Sequence, residues 1–104
     1  MSETTWTFLT NHTHVLLCIR RDPDVRLRDI AEAVGITERA THRIICDLKE
    51  AGYLEIEKDG RRNHYLVRGD LPLRHPLERT HTAGELVDML TSNAVTPVRK
   101  VNAS

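Results

Sequence analysis

Long apolar runs are missing from this chain. The longest span a few residues, far short of a membrane-crossing helix, and no apolar signal segment follows Met1. The expected place is the cytoplasm, with no membrane partner. An excess of charge of one sign is missing too: fifteen Lys and Arg stand against fifteen Asp and Glu. That excludes a uniformly basic coat, so any affinity for a polyanion must come from local placement of charge. Cysteine is scarce, and Cys18 and Cys46 are far apart and form no paired motif, so each is expected as a free thiol in a reducing compartment. Cys18 sits in an apolar run and is expected in the core, Cys46 on a polar helix face. Six histidines invite a metal hypothesis, but none has ligand spacing. His12 and His14 are two apart, on different sides of a helix, and His75 and His81 lie in a tail with Glu78. There is no glycine-rich phosphate loop and no nucleophile with a neighbouring base. No metal, cofactor or catalytic role is expected.

What is present suits a small folded domain. The 104 residues are one domain's worth, and a chain this size buries roughly 60–70% of its unfolded surface. Charged residues make up 29% beside an ordinary apolar fraction, which argues against global disorder. The centre is Thr37 to Ala51. Read as a helix, it puts Thr41, Ile44, Ile45 and Leu48 on one stripe. Upstream, Leu27, Ile30, Ala31 and Val34 repeat the spacing. Between them Gly35 can end one helix in the left-handed conformation and Thr37 can cap the next. Two short amphipathic helices around a tight Gly-containing turn make a helix-turn-helix.

An earlier helix is expected from His12, Val15, Leu16 and Ile19, capped by Thr10 or Asn11 and stopped at Pro23. Val25 to Leu27 reads as a short edge strand. Gly52 to Glu57 and Asn63 to Arg68 read as two strands around a basic tip. With Asp59-Gly60 as a two-residue loop, Lys58 faces Arg61, Ile56 faces Asn63 and Leu54 faces Tyr65. Leu54, Ile56, Tyr65 and Val67 then share one face, with His64 and Leu66 on the other.

From about Val15 to Arg68 the chain resembles a winged helix-turn-helix domain of the MarR-like bacterial regulator type. The matching residues run from Leu27 to Ile36, through Thr37-Glu38-Arg39-Ala40-Thr41 and Leu48 to Leu54, to the wing at Asp59 to Tyr65. The resemblance implies a mostly α fold with a small β-hairpin (α+β), in which three helices and a wing form the DNA-binding unit. Double-stranded DNA is the implied partner. The helix from about 38 to 51 would enter the major groove, where Arg39, Ala40, His42 and Arg43 are the residues free of core duty near its N-terminus. Thr37 is a cap first and a phosphate contact second, and Arg28 suits a backbone contact. Lys58, Arg61 and Arg62, at residues 58–63, would meet the backbone or the minor groove. The alternative is a winged helix used for protein interaction, which would show an apolar patch where these charges lie.

After Arg68 the composition changes. Residues 1–70 are expected as the DNA-binding domain, 71–92 as a proline-punctuated connector and packing helix, and 93–104 as a flexible tail. Thr82 and Glu85 have capping-box spacing before a short helix, about Ala83 to Thr91. That helix is too short to persist alone. Its Leu86, Val87, Met89 and Leu90 form one expected dimerisation surface, with Trp6 and Phe8 at the other end of the chain; the alternative is that this helix folds back on its own domain. Aromatics are only 4% of the sequence, so two in the first eight positions suggest an anchored end. They either close the domain's own core or enter a homodimer interface, as an extended arm or an earlier helical turn. Any effector ligand is not legible.

Overall fold

The apolar stripe on the central helix decides the architecture. In the computed structural model, which describes residues 6–92, the chain forms α1 (Asn11–Arg21), α2 (Leu27–Val34), α3 (Glu38–Glu50), β1 (Leu54–Asp59), β2 (Arg62–Val67) and α4 (Ala83–Thr91). Thr41, Ile44, Ile45 and Leu48 of α3 are buried. They meet Val15, Leu16 and Ile19 of α1, Ile30 of α2, and Leu54 and Tyr65 of the hairpin in one core. Side chains of this kind each gain about 1.5–3 kcal/mol on full burial. Thr41 joins the stripe despite its hydroxyl, which donates to the Thr37 carbonyl at 2.8 Å and so is not left unpaired.

The turn between α2 and α3 is built as its residues dictate. Gly35 sits at φ +88° and Ile36 N–H folds back onto the Ala31 carbonyl at 3.0 Å, closing α2. Thr37 then opens α3, its hydroxyl accepting from Ala40 N–H at 3.0 Å. The end of α3 uses the same device one helix later. Tyr53 N–H returns to the Leu48 carbonyl at 2.9 Å and Gly52 N–H to Lys49 at 3.1 Å. Gly52 and Tyr53, expected at the start of a strand, belong instead to this helix stop, and β1 begins at Leu54.

The hairpin register differs from the sequence expectation by two residues. Leu54 pairs with Val67, Ile56 with Tyr65, Lys58 with Asn63 and Asp59 with Arg62. The loop is therefore Gly60-Arg61, not Asp59-Gly60. A loop with glycine second would be of the type that needs positive φ at both positions, and among the described residues only glycines have it. Gly60, at φ +67°, supplies it at the first loop position. The observed pairing also sets Asp59 against Arg62 where the other would set Lys58 against Arg61, two like charges. Because the shift is two residues, the faces do not change. Leu54 and Tyr65 are buried, Ile56 and Val67 half-buried, and Leu66 looks outward.

Two further expectations are corrected. Val25 to Leu27 is not a strand: the sheet has two strands, and Leu27 already belongs to α2. The outer edge of β2 is met by one backbone bond, Tyr65 N–H to the Pro23 carbonyl at 2.9 Å. Val87, expected between two copies, is wholly buried in its own chain, where α4 packs on α1. The Thr82–Glu85 capping box is formed, and the bond from Thr82 N–H holds the Glu85 carboxyl below its usual range. Arg20 of α1 pairs with Asp88 of α4. Leu86 and Leu90 are half-buried, while Met89, Trp6 and Phe8 are exposed. Trp6 and Phe8 precede α1 in non-helical chain and meet edge to face at 5.2 Å. The segment expected as a flexible tail, 93–104, lies outside the described residues.

The seat of α4 depends on a close crossing of two glycines. Gly84 N–H donates to the Gly69 carbonyl at 3.0 Å, and a Cβ on Gly84 would stand 2.8 Å from that oxygen. Alanine ordinarily favours a helix over glycine by up to about 1 kcal/mol. Here Gly84→Ala is expected to destabilise by about 1–3 kcal/mol, as overpacking against backbone does. Chemical denaturation checks the sign, and a stabilised variant would contradict the packing.

Candidate nucleic-acid interface

Burying one stripe of α3 turns the opposite stripe to solvent. Arg39, His42 and Arg43 are exposed there, and Ala40 is half-buried beside them. They follow Thr37, itself exposed, by two to six positions, so they occupy the first two turns of the helix. At the helix N-terminus the backbone amides and dipole favour anionic oxygen. Arg39 and Arg43 make no hydrogen bond or ion pair among the described residues, and their donors face solvent. Cys46, one turn past His42, has its sulfur 3.9 Å from the imidazole nitrogens and is half-buried. Cys18 is half-buried in α1, and burial pushes its thiol pKa up, away from reactivity.

Two carboxylates temper the basic surface. Glu38 opens α3 and complements the helix dipole. Asp47 lies near the far end and accepts from His12 of α1 at 2.9 Å. Its charge is engaged across two helices, away from Arg39 and Arg43.

The hairpin supplies the second group. Lys58, Arg61 and Arg62 are all exposed, but their circumstances differ. Lys58 lies in β1 opposite Asn63, and Arg61 lies in the turn itself. Arg62 opens β2 and donates to the Asp24 carbonyl at 2.9 Å, so its guanidinium is held against the loop before α2. Arg28, the second residue of α2, is exposed. No hydrogen bond or ion pair joins the α3 group to the hairpin group among the described residues.

Sequence reasoning missed the tie that orients the hairpin. His64 Nδ1 lies 2.7 Å from Asp24 Oδ1, beside the Arg62 and Tyr65 bonds to the same loop. Three bonds thus fasten β2 to Pro23 and Asp24. The partners are about forty positions apart in sequence, and neither motif nor period links them. His64 faces Asp24 on the loop, Glu57 across the strand and Asp59 near the turn. The hydrogen bond to Asp24 comes first in raising its pKa above 6.5, the three charges add to it, and desolvation opposes.

The linkage has one sign. A histidine whose folded pKa is raised contributes its tie fully below the unfolded value and loses it as pH rises through the folded value. Tethering by His64 is therefore complete in mildly acidic solution and fades above 6.5. In an NMR titration the His64 midpoint is expected above 6.5, and Asp24→Asn is expected to bring it down. A wild-type midpoint at or below 6.5 would refute the pairing.

Residues 9–55 match the model of a family described as winged helix-turn-helix DNA-binding. The matched stretch takes in α1, α2 and α3 and the first residues of β1; most of the hairpin and α4 lie beyond it. No curated protein matches the sequence. Four helices and a two-stranded antiparallel hairpin in this order form a winged helix-turn-helix, and the family match is to domains that bind DNA.

Proposed function

We propose that this protein binds double-stranded DNA sequence-specifically, as a MarR-like bacterial transcriptional regulator. The observation that carries the reading is the solvent stripe of α3. Its Arg39 and Arg43 stand at the N-terminal half of the helix, free of partners among the described residues, opposite a buried stripe. The major groove admits such a helix, and arginine bonds guanine in bidentate fashion. His42 is a further donor. Thr37 and Arg28 fit phosphate contacts that fix register, and Lys58, Arg61 and Arg62 bring the wing to the backbone or minor groove. A protein-interaction module would need an exposed apolar patch on α3. Among the described residues the exposed large apolar ones, Trp6, Phe8, Leu66, Leu77 and Met89, all lie elsewhere.

Selection from a random duplex pool would define the site, and three variants then test the assignment. Arg43→Ala is expected to cost roughly 1–3 kcal/mol and to relax base preference. Arg61→Ala and Lys58→Ala are expected to weaken all sequences alike. Wild-type affinity retained by a triple variant on the selected site would end the DNA reading.

The protein acts, in this proposal, as a homodimer joined through its terminal segments. Trp6 and Phe8 are 63% and 92% exposed and Met89 is 59% exposed, with Leu86 and Leu90 partly open beside it. Apolar side chains of this size gain most by leaving water. A two-fold dimer would also present two recognition helices to major grooves about 34 Å apart. Truncating α4 is a poor test, because Val87 belongs to the core. Sedimentation equilibrium of Trp6→Ser/Phe8→Ser/Met89→Glu is expected to show dimerisation weakened by about a hundredfold or more, as loss of apolar anchors does. A wild-type monomer at micromolar concentration would refute the dimer.

A further inference from the structure

The connector after the hairpin stays on the domain. Tyr53 O–H donates to the Pro72 carbonyl and Leu73 N–H to the His81 carbonyl at 2.9 Å, which ties the chain beside the end of α3 before α4 begins. A cleft of about 280 Å³ opens where this connector meets α1, α3 and α4. Small-molecule sites start at roughly 300 Å³, so the cleft suits only a small guest. Its floor is aliphatic and buried or half-buried: Leu16 of α1, Leu48 and Ala51 at the end of α3, and Leu86 and Val87 of α4.

The polar groups around that floor are of two kinds. His12 and Asp47 hold each other at 2.9 Å, and the Tyr53 hydroxyl is taken up by Pro72. Arg74 and Glu78 line the same cleft and are exposed, yet neither side chain makes a hydrogen bond or ion pair among the described residues. Glu50 lies in an adjoining hollow and does not bond Arg74 either. A positive and a negative group thus border one aliphatic cleft without meeting. The half-buried Thr13 hydroxyl lies between α1 and this space and is also without a partner among the described residues.

We propose that this cleft binds a small zwitterion with an aliphatic body, an α-amino acid of about the size of leucine. Its carboxylate takes charge-assisted bonds from Arg74, its ammonium donates to Glu78, and its side chain lies on Leu16, Leu48 and Leu86. The charges decide the class. A simple carboxylic acid would face Glu78 with like charge, and a simple amine would face Arg74. A wholly apolar guest would strip water from both groups and pair neither. The site stands apart from DNA binding. Because its floor joins α1, α3 and α4, the guest binds only the form in which α4 is docked, and so stabilises that form by mass action.

The full chain labelled with nitrogen-15 and titrated with L-leucine tests the assignment. Saturating shifts are expected at the amides of Leu16, Leu48 and Leu86. Three analogues dissect the recognition: 4-methylpentanoate lacks the ammonium, 3-methylbutylamine lacks the carboxylate, and glycine lacks the aliphatic body. Each is expected to bind about tenfold or more weakly than L-leucine, the effect of roughly 1.4 kcal/mol. Arg74→Gln is expected to weaken L-leucine by a similar factor while leaving 3-methylbutylamine unaffected. Glu78→Gln is expected to weaken L-leucine while leaving 4-methylpentanoate no weaker, a split that a general loss of structure would not produce. No saturation by about 10 mM L-leucine overturns the proposal, and so does equal affinity for any of the three analogues. If Trp6→Ser/Phe8→Ser/Met89→Glu binds L-leucine and the wild type does not, a second copy of the chain fills the cleft, and the proposal falls.

Discussion

Everything the surface of α3 offers depends on the burial of its other side. Thr41, Ile44, Ile45 and Leu48 lock the helix against α1, α2 and the hairpin, and this fixes its rotation about its own axis. At 100° per residue, a helix free to roll by one position would exchange Arg39 and Arg43 for core neighbours. The core tolerates no such roll, since a buried residue of the stripe would turn to water and a charged one would enter. Sequence, packing and proposed chemistry are thus joined by one constraint, that these four residues remain inside.

The parts of the fold governed by local periodicity were legible. The stripes of α2 and α3, the Gly35 and Thr37 boundary and the Thr82–Glu85 box each involve residues within one or two helical turns. Their physical causes lie in the segment itself, so reading the segment suffices. The hairpin was legible as to face but not as to register. A two-residue shift leaves every side chain on its side, so alternation cannot detect it, and the turn chemistry of Gly60 decides. The charge pairing could have found it, because Lys58 against Arg61 is a poor match and Asp59 against Arg62 a good one.

Tertiary ties were not legible. Whether α4 docks on its own domain depends on a space beside α1, and no property of Leu86 to Leu90 reveals that space. The tethers from Asp24 to Arg62 and His64 likewise join residues that share no motif. At the proposed interface, Arg39, Arg43 and Arg61 could be singled out because they are charged where a core needs nothing.

The packing of α4 on α1 has a kinetic consequence. The Arg20–Asp88 pair joins residues 68 apart in sequence, whereas α2 meets α3 across a few residues of turn. Loop closure over such a distance costs more entropy, and contacts of long sequence separation slow a folding reaction. The helix-turn-helix and hairpin are therefore expected to assemble before α4 adds Val87 to the core. In the folded protein the same helix, short and held by one face, is the unit that opens at least expense. Its amides are the ones to exchange with solvent while those of α3 remain protected.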